Sequence, residues 1–260
     1  MGSVRAVLQG AWAVPGTFKT EAVVLRSIRF GEADRVLHLY SATRGRIGAI
    51  AKGARRPRSR FGGRLEPFFR LDMVLHEGRG ELATVTGAST VAGHPRLREN
   101  GPALNAAGRA CDAVLRLLDA AEPNPAGYNL LCRYLALLDG EGSVDGSGSG
   151  DGATGLSTAL AFRLKLTLAA GFAPELASCA RCGEVDGLVG FSGAAGGVVC
   201  GACEGGGFGL SGDAHRFMVE ALGAPLASVP AAREPALRQV ERAVSETLEY
   251  HAHVRLRAAA

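Results

Sequence analysis

Two cysteine pairs, each with CxxC spacing, are the sequence feature that most limits how this chain can fold. The first pair lies in CARC at 179–182 and the second in CGAC at 200–203, with 17 residues between them. Two such pairs at this separation are typical of a zinc site with four thiolates, because each CxxC turn directs two sulfurs at one point. We therefore predict one structural Zn²⁺ in a module over 177–206. Its predicted ligands are Cys179, Cys182, Cys200 and Cys203.

Other readings of the cysteines fit less well. Four thiolates fill a tetrahedral coordination shell, so the predicted site leaves no open position for catalysis. A redox CxxC needs one pair, and a disulfide framework needs an oxidising compartment. Cys111 and Cys132 lie on or beside apolar helical faces, where free cysteine is commonly a small buried residue, and we assign them no chemistry.

The hydrophobic pattern changes its period once along the chain. Over 18–92, short segments alternate apolar and polar side chains, which predicts strands. The predicted strands cover 20–28, 35–40, 46–51, 69–76 and 81–86. Five strands in about 70 residues favour a small closed barrel of the OB or SH3 type. From residue 93 the apolar residues recur at helical spacing, and helices are predicted at 104–118, 128–138, 156–171 and 234–256. Residues 156–171 are apolar nearly all round, so this helix is predicted to be buried at the centre of its domain.

These patterns predict an α+β protein built from several domains. We expect an N-terminal OB-type β-barrel at 18–92 and a helical domain at 93–260, into which the zinc module is inserted. Residues 1–17 are expected to be a disordered extension, and their translation in the cell is left open. The tract GEGSVDGSGSGDGATG at 140–155 has almost nothing to bury and is expected to be a disordered insertion. The sequence has no uncharged apolar run of 18 residues, so no transmembrane helix is predicted.

Positive charge is concentrated in the first part of the chain. Residues 1–98 contain 17 Lys and Arg against 7 Asp and Glu, whereas the remainder contains 12 against 18. The segment KGARRPRSRFGGRLEPF at 52–68 carries six cations before its first acid and is too rich in Gly and Pro for a helix. A basic loop on a barrel suggests that the partner is a nucleic-acid backbone, held without sequence reading. The predicted contacts are Lys52, Arg55, Arg56, Arg58, Arg60, Arg64, Arg35 and Arg46.

OB barrels also stack bases on aromatic side chains. The candidates here are Phe30, Tyr40, Phe61, Phe68 and Phe69. Phe69 fits the inward-facing set of its strand, whereas Phe61, flanked by an arginine and a glycine, is expected to be the most exposed. If no ligand uses the basic segment, it is a solvated linker. In either case we expect the segment to lie outside the core.

The sequence offers no catalytic constellation. GFGLSG at 207–212 matches GxGxxG, but it follows a zinc knuckle and lacks the βαβ unit of a dinucleotide site. The motifs GxxxxGK[ST], HExxH and GxSxG do not occur, and no nucleophile–base pair can be proposed. A DNA-cleaving enzyme would need carboxylates gathered around Mg²⁺. Those of the basic half are scattered, so we predict a binding protein and not an enzyme.

Three stretches of the chain resemble the RecO family of bacterial recombination mediators. They are TEAVVLRSIRFGEADRVLHLYSATRGRIGAIAKGARRPRSRFGGRLEPF, LKLTLAAGFAPELASCARCG and VSETLEYHAHVRLRA. The resemblance covers roughly 18–258, interrupted by the tract at 140–155. It implies an OB barrel, a helical domain and a zinc module. It also places Lys52, Arg55, Arg56, Arg58 and Arg60 in the basic segment of the family.

The resemblance implies a mediator in DNA repair and recombination. Such a protein binds single- and double-stranded DNA, anneals complementary strands, and with RecR helps load RecA onto strands coated by single-strand-binding protein. The implied partners are DNA, RecR and the C-terminal tail of single-strand-binding protein, in the bacterial cytoplasm at the nucleoid and with no membrane. The tail pocket is implied in the helical domain, without particular residues. An RNA-binding zinc-ribbon/OB protein, which would use stacking and 2′-hydroxyl contacts, stays open as the alternative.

Overall fold

A computed structural model describes residues 16–78, 80–118, 122–140 and 155–259. Two predictions fall mainly outside the described residues: the N-terminal extension up to residue 15, and the insertion over 141–154. Both stay predictions. The strand that follows the extension begins at Thr17, which pairs with His76, so the last residue of the predicted extension belongs to the fold.

The N-terminal part is a closed barrel of five strands. They are β1 Thr17–Phe30, β2 Asp34–Ser41, β3 Gly45–Ala51, β4 Arg70–His76 and β5 Ala83–Ala92. The order around the barrel is β1-β2-β3-β5-β4, with β3 parallel to β5 and the other neighbours antiparallel. A five-stranded Greek-key barrel of this kind is the OB architecture. The predicted barrel is therefore confirmed, and it is of the OB type and not of the SH3 type.

A β-bulge in β1 decides which of its side chains face outward. Up to Val24 the even-numbered residues point into the barrel, and Ala22 and Val24 are fully buried there. The register with β2 shifts between Val24 and Arg26, which adds one unpaired residue to β1. Side chains alternate with a period of two, so this extra residue turns Arg26, Ile28 and Phe30 to the outer face.

The C-terminal part is a helical body around one buried helix. Its helices are α1 Pro95–Glu99, α2 Gly101–Leu117, α3 Pro125–Leu138, α4 Leu156–Ala169, α5 Gly212–Gly223 and α6 Glu234–Thr247. Asn100, Asn124 and Ser211 accept backbone N–H groups and cap α2, α3 and α5. Most residues of α4 are buried, which confirms the predicted central helix.

Two features of the helical body were missed in the sequence. The helix α5 was not predicted, although its buried residues Ala214, Phe217, Met218 and Ala221 have helical spacing. The predicted helix over 234–256 is too long: the α-helix ends at Thr247, a π-helical turn covers Leu248–Ala252, and His253 has a φ of 55°.

The barrel and the helical body share a hydrophobic core. Val23, Leu25 and Tyr40 on the outside of the barrel belong to the same buried cluster as α2, α3 and α4. The Tyr40 and Tyr128 rings lie 6.4 Å apart, and the Tyr128 hydroxyl donates to Glu21 at 2.7 Å. Residues on the outer barrel face beyond this contact are left to solvent.

A small sheet carries the cysteines between α4 and α5. It consists of β6 Leu188–Ser192, β7 Gly197–Cys200 and β8 Phe208–Gly209, in the order β7-β6-β8. The strands β6 and β7 are antiparallel and form a hairpin between the two CxxC pairs. Within the described residues, no helix combines the length and the apolar character needed to cross a membrane.

Candidate metal centre and nucleic-acid interface

The four predicted metal ligands come together in space. The sulfurs of Cys179, Cys182, Cys200 and Cys203 all lie within 4.8 Å of one another. The Cys182 and Cys200 sulfurs are 3.7 Å apart. Tetrahedral ligands that lie about 2.3 Å from Zn²⁺ are about 3.8 Å from one another. The cluster therefore has the size and the donor set of a four-thiolate zinc site.

Backbone geometry forms each cysteine pair into a tight turn. The Gly183 N–H donates to the Cys179 carbonyl at 2.8 Å, and the Cys203 N–H donates to the Cys200 carbonyl at 2.9 Å. Gly183 has a φ of 78°, a conformation that glycine adopts without steric cost. These turns place two sulfurs of each pair on the same side of the backbone.

The electrostatics of the cluster favour a cation. Hydrogen bonds from backbone N–H groups, that of Cys200 first, lower the pKa of the Cys179 thiol to about 6. Hydrogen bonding with the thiols of Cys182 and Cys200 instead raises the pKa of Cys203 to about 12. Four thiols this close cannot all ionise unless a positive charge lies among them. A bound Zn²⁺ would supply that charge, since coordinated thiols lose their protons.

The module has little core of its own. The buried residues of its separate apolar cluster are Cys179, Val199 and Cys200, whereas Phe191 and Val198 belong to the core of the helical body. An apolar cluster of this size cannot hold a fold without a cross-link or a metal. The module also lies close against the helical body, because a Cβ on Gly193 would come within 2.8 Å of the Glu246 backbone. Metal binding at the cysteines would therefore fix a surface that α6 packs against.

The basic segment is an ordered loop between β3 and β4. Backbone hydrogen bonds link residues three apart, from Arg56 to Gly53, from Ser59 to Arg56 and from Gly62 to Ser59, at 2.9 to 3.3 Å. Other bonds tie the loop to the turn between β1 and β2. The Arg55 N–H donates to the Ala33 carbonyl at 2.8 Å, and the Gly53 N–H donates to the Asp34 carboxylate at 2.7 Å.

The expected exposure of Phe61 is wrong. Its ring is 2% exposed and lies in the barrel core, together with Ala54 and Leu65 of the same loop. The loop covers one end of the barrel, so its apolar residues turn inward although cations flank them. The Arg60 guanidinium lies over the Phe61 ring, 4.9 Å from its centroid. The loop therefore contributes to the barrel core, and the expectation that it lies outside the core is wrong.

The six cations of the loop all reach solvent. They are Lys52, Arg55, Arg56, Arg58, Arg60 and Arg64. Arg55 also donates to the Gly31 carbonyl at 3.2 Å, which holds its side chain beside the tip of the β1–β2 hairpin. The loop thus presents its charges from a fixed backbone.

The other two predicted contacts have partners within the protein. Arg35 shares the inward parity of Leu37 and Leu39, and its guanidinium pairs with Glu66 at 2.6 Å. Arg46 donates to the Leu115 carbonyl of α2 at 2.7 Å. Contact of either residue with nucleic acid stays a prediction.

Phe30 is the exposed member of the five candidate aromatic residues. Its side chain, at the end of β1, is 57% exposed. Tyr40 and Phe68 are buried, and Phe69 is half-buried against the barrel core beneath the Arg98 guanidinium. Phe30 lies one residue before Gly31, which Arg55 contacts. The structure therefore places an open aromatic ring beside the basic loop.

The outer barrel face next to Phe30 is also basic. Arg26 on β1 lies opposite His38 on β2. Partial burial, and then the charges of Arg26 and Arg46, lower the pKa of His38. The lowered pKa favours the neutral imidazole, so Arg26 and Arg46 supply most of the positive charge of this face.

Comparison with known proteins places the chain in a family. A family model described as "Recombination protein O N terminal" matches residues 16–94, and one described as "Recombination protein O C terminal" matches residues 98–259. The chain belongs to the RecO family. The two matches meet where the RecO barrel gives way to the helical body.

Two relatives show how far the RecO likeness extends. The DNA repair protein RecO of Rubrobacter xylanophilus is 39% identical over 193 residues, which cover 72% of this chain and 71% of that protein. That of Anaeromyxobacter dehalogenans, strain 2CP-C, is 36% identical over 251 residues, covering 92% and 93%. Membership of the RecO family supports a role in DNA repair.

Proposed function

We propose that this RecO-family protein is a DNA-binding recombination mediator that acts by holding strands and not by turning over a substrate. The observation that carries the proposal is the basic loop, with six exposed cations on an ordered backbone beside the exposed ring of Phe30. Cations bind phosphates of any sequence, and an aromatic ring stacks on any base. We further propose that a structural Zn²⁺ occupies the cysteine cluster.

The anchoring of the loop supports this assignment. Phe61 and Leu65 fix the loop in the barrel, so its arginines are already spaced before a strand arrives. Less conformational entropy is then lost on binding than with a flexible tail. The arginine fork can contact two phosphate oxygens, which makes arginine a strong clamp for a backbone.

Annealing follows from charge neutralisation. Two complementary strands repel each other through their phosphates, and a strand whose charges are neutralised can be approached by the other. Stacking on Phe30 would favour single strands, whereas the loop arginines can contact the phosphates of single strands and duplexes alike. In this role the protein works with RecR to load RecA onto strands coated by single-strand-binding protein, at the nucleoid in the bacterial cytoplasm.

We assign the tail of single-strand-binding protein to a groove in the helical body. The groove has a volume of about 430 Å³ and is lined mainly by apolar residues of α3 and of the segment around Leu226. Arg133 and Lys165 are its two cations. Lys165 donates to the Leu222 carbonyl at 2.7 Å, and burial lowers its pKa. Such a groove suits a peptide with an apolar end and adjacent carboxylates.

The salt dependence of binding tests the role of the loop. Each phosphate contact on a single strand contributes about −0.7 to the slope of log affinity against log salt. Replacing Arg55, Arg56 and Arg58 by alanine should flatten the slope by about 2, equally for unrelated sequences. A matched control replaces Arg216, Arg238 and Arg242, three exposed arginines of α5 and α6 that pair with acids. The control should leave the slope unchanged.

Two results would contradict the assignment of the loop. An unchanged slope in the loop variant would make the loop a solvated linker. A loss of affinity confined to one DNA sequence would mean that the loop reads bases. Competition between DNA and RNA strands of equal sequence tests the alternative RNA-binding function, since a preference for RNA requires contacts to the 2′-hydroxyl.

Annealing of strands coated by single-strand-binding protein tests the mediator role. The loop variant should anneal both bare and coated strands slowly. Replacing Arg133 and Lys165 by alanine should slow annealing of coated strands only, because DNA binding is left intact. If this double variant annealed coated and bare strands at rates changed by the same factor, the assignment of the tail to this groove would be wrong.

A further inference from the structure

A second basic groove lies between the barrel and α2. It has a volume of about 420 Å³. Its cations come from three distant parts of the chain: Arg26 from β1, Arg109 from α2 and Arg257 from the C-terminal segment. Asp112 also lines the groove, but it pairs with Arg116 at 2.8 Å. The lining therefore carries a net positive charge.

The C-terminal segment is held firmly at this groove. The buried guanidinium of Arg163 donates to the Arg257 carbonyl and pairs with Glu241 at 3.3 Å. Arg109 donates to the Ala259 carbonyl at 2.9 Å. These bonds fix the backbone on both sides of residue 258, while the Arg257 side chain stays exposed. The charge of Arg257 is thus positioned by a buried ion pair.

Gly108 opens the floor of the groove. It lies in the middle of α2, where glycine is the least favourable residue after proline. A Cβ at this position would meet nothing within 4 Å, so packing inside the protein does not require glycine. Its absence of a side chain instead lets another molecule approach the helix backbone closely.

The groove continues the basic surface of the barrel. Arg26 lines the groove and also lies opposite His38 on the outer barrel face. Arg46 donates to the carbonyl of Leu115, which is itself part of the groove lining. The basic surface on the outer face of β1, β2 and β3 is therefore continuous with the groove on α2, and a polyanion bound to the barrel can extend into it.

We propose that this groove is a second phosphate-binding site, which holds the backbone of a nucleic-acid strand as it leaves the barrel face. The inference rests on the proposed function, since it presumes a strand on the barrel. The described lining contains arginines and no aromatic ring, so it suits phosphates and not stacked bases. The loop and the groove together define a longer binding path than one OB barrel.

Strand length separates the groove from the loop. Binding is measured for a thymidine strand of about 10 nucleotides, within the site size of one OB fold, and for one several times longer. The test variants are Arg257→Ala, which removes a groove charge, and Gly108→Leu, which fills the groove without changing charge. Arg26 is kept because it also belongs to the outer barrel face, and Arg109 is kept because it holds Ala259. The control is Arg238→Ala, which lies outside the groove on α6.

Both groove variants should bind the short strand like the wild type and lose affinity for the long one. Arg257→Ala should also flatten the salt slope for the long strand by about 0.7, or one contact. Gly108→Leu serves as the second test because leucine is a better helix former than glycine, so the helix should be retained.

Other results would contradict either the groove inference or the proposed function, and the two cases can be told apart. If the long strand binds both groove variants as it binds the wild type, while the loop variant is weakened, the groove inference is wrong and the proposed function stands. If the wild type binds neither strand, the proposed function fails as well. If the groove variants keep DNA affinity and lose binding of an acidic peptide, the groove is a protein site and the inference is wrong.

Discussion

Replacing Phe61 and Phe30 in turn should separate fold stability from DNA binding. The two rings lie at the same end of the barrel, but Phe61 is 2% exposed and Phe30 is 57% exposed. Replacing a buried phenylalanine by alanine costs about 3–5 kcal/mol, because the transfer free energy is lost and a cavity remains. Phe61→Ala should therefore lower the free energy of unfolding of the barrel by that amount.

Phe30→Ala should show the opposite pattern. A surface replacement changes stability by about 0.5 kcal/mol or less. Loss of one stacked base costs about 1–3 kcal/mol of binding free energy. Since about 1.4 kcal/mol is tenfold in affinity, the dissociation constant for single-stranded DNA should rise by a factor between about 5 and 150.

Two assays read these effects separately. Hydrogen exchange of the β2 and β3 backbone amides reports the opening free energy of the barrel, and titration of a labelled strand reports affinity. Phe61→Leu, which keeps most of the volume, is the folded control and should bind DNA like the wild type. The reasoning would be refuted if Phe61→Ala kept native exchange protection and lost DNA affinity, because the ring would then face the ligand.

Other predictions concern the metal, the buried charge and catalysis. Protein purified without chelator should contain one zinc per chain by elemental analysis. Cys182→Ala should lose the zinc and expose the module to protease, because metal binding contributes folding energy. A native chain without stoichiometric zinc would contradict the site. Arg163→Ala should lower the free energy of unfolding of the helical body by about 3–5 kcal/mol in urea denaturation, since the partly buried Glu241 and the Arg257 carbonyl lose a charged partner. A decrease below about 1 kcal/mol would contradict this prediction and show that water replaces the guanidinium. Incubation with labelled DNA, ATP and Mg²⁺ should give neither cleavage nor hydrolysis that tracks with the protein, and an activity removed by a point mutation would overturn the non-enzymatic mechanism.

Local patterns predicted the parts of the fold that depend on local physics. Alternation over 18–92 predicted the barrel because each strand has one buried face. The two CxxC pairs predicted the cysteine cluster because a tight turn brings its two sulfurs together wherever it occurs. The nearly all-apolar segment over 156–171 predicted the central helix, since only a buried helix can be apolar all round.

Side-chain direction near the basic loop could not be predicted in the same way. Phe61 is flanked by an arginine and a glycine, which suggests exposure, yet its ring is buried because the loop folds over the end of the barrel. Only the tertiary structure determines that the loop covers this end. Phe30 would point inward if the alternation of Ala22 and Val24 continued. The bulge after Val24 reverses this alternation, and no glycine marks its position in the sequence Val24-Leu25-Arg26. The groove on α2 was equally hidden, because its arginines are far apart in the chain.

The bonds that hold the C-terminal segment have a consequence for the order of folding during synthesis. The barrel over Thr17–Ala92 is contiguous in sequence and can close while the rest of the chain is still being made. The partners of Arg163 are synthesised much later, because Glu241 lies 78 residues and Arg257 94 residues further along the chain. Until then, α4 carries a charge in a nascent core that has no partner for it. A chain released early would carry a closed barrel beside an unfinished helical body, which exposes apolar surface to chaperones and proteases.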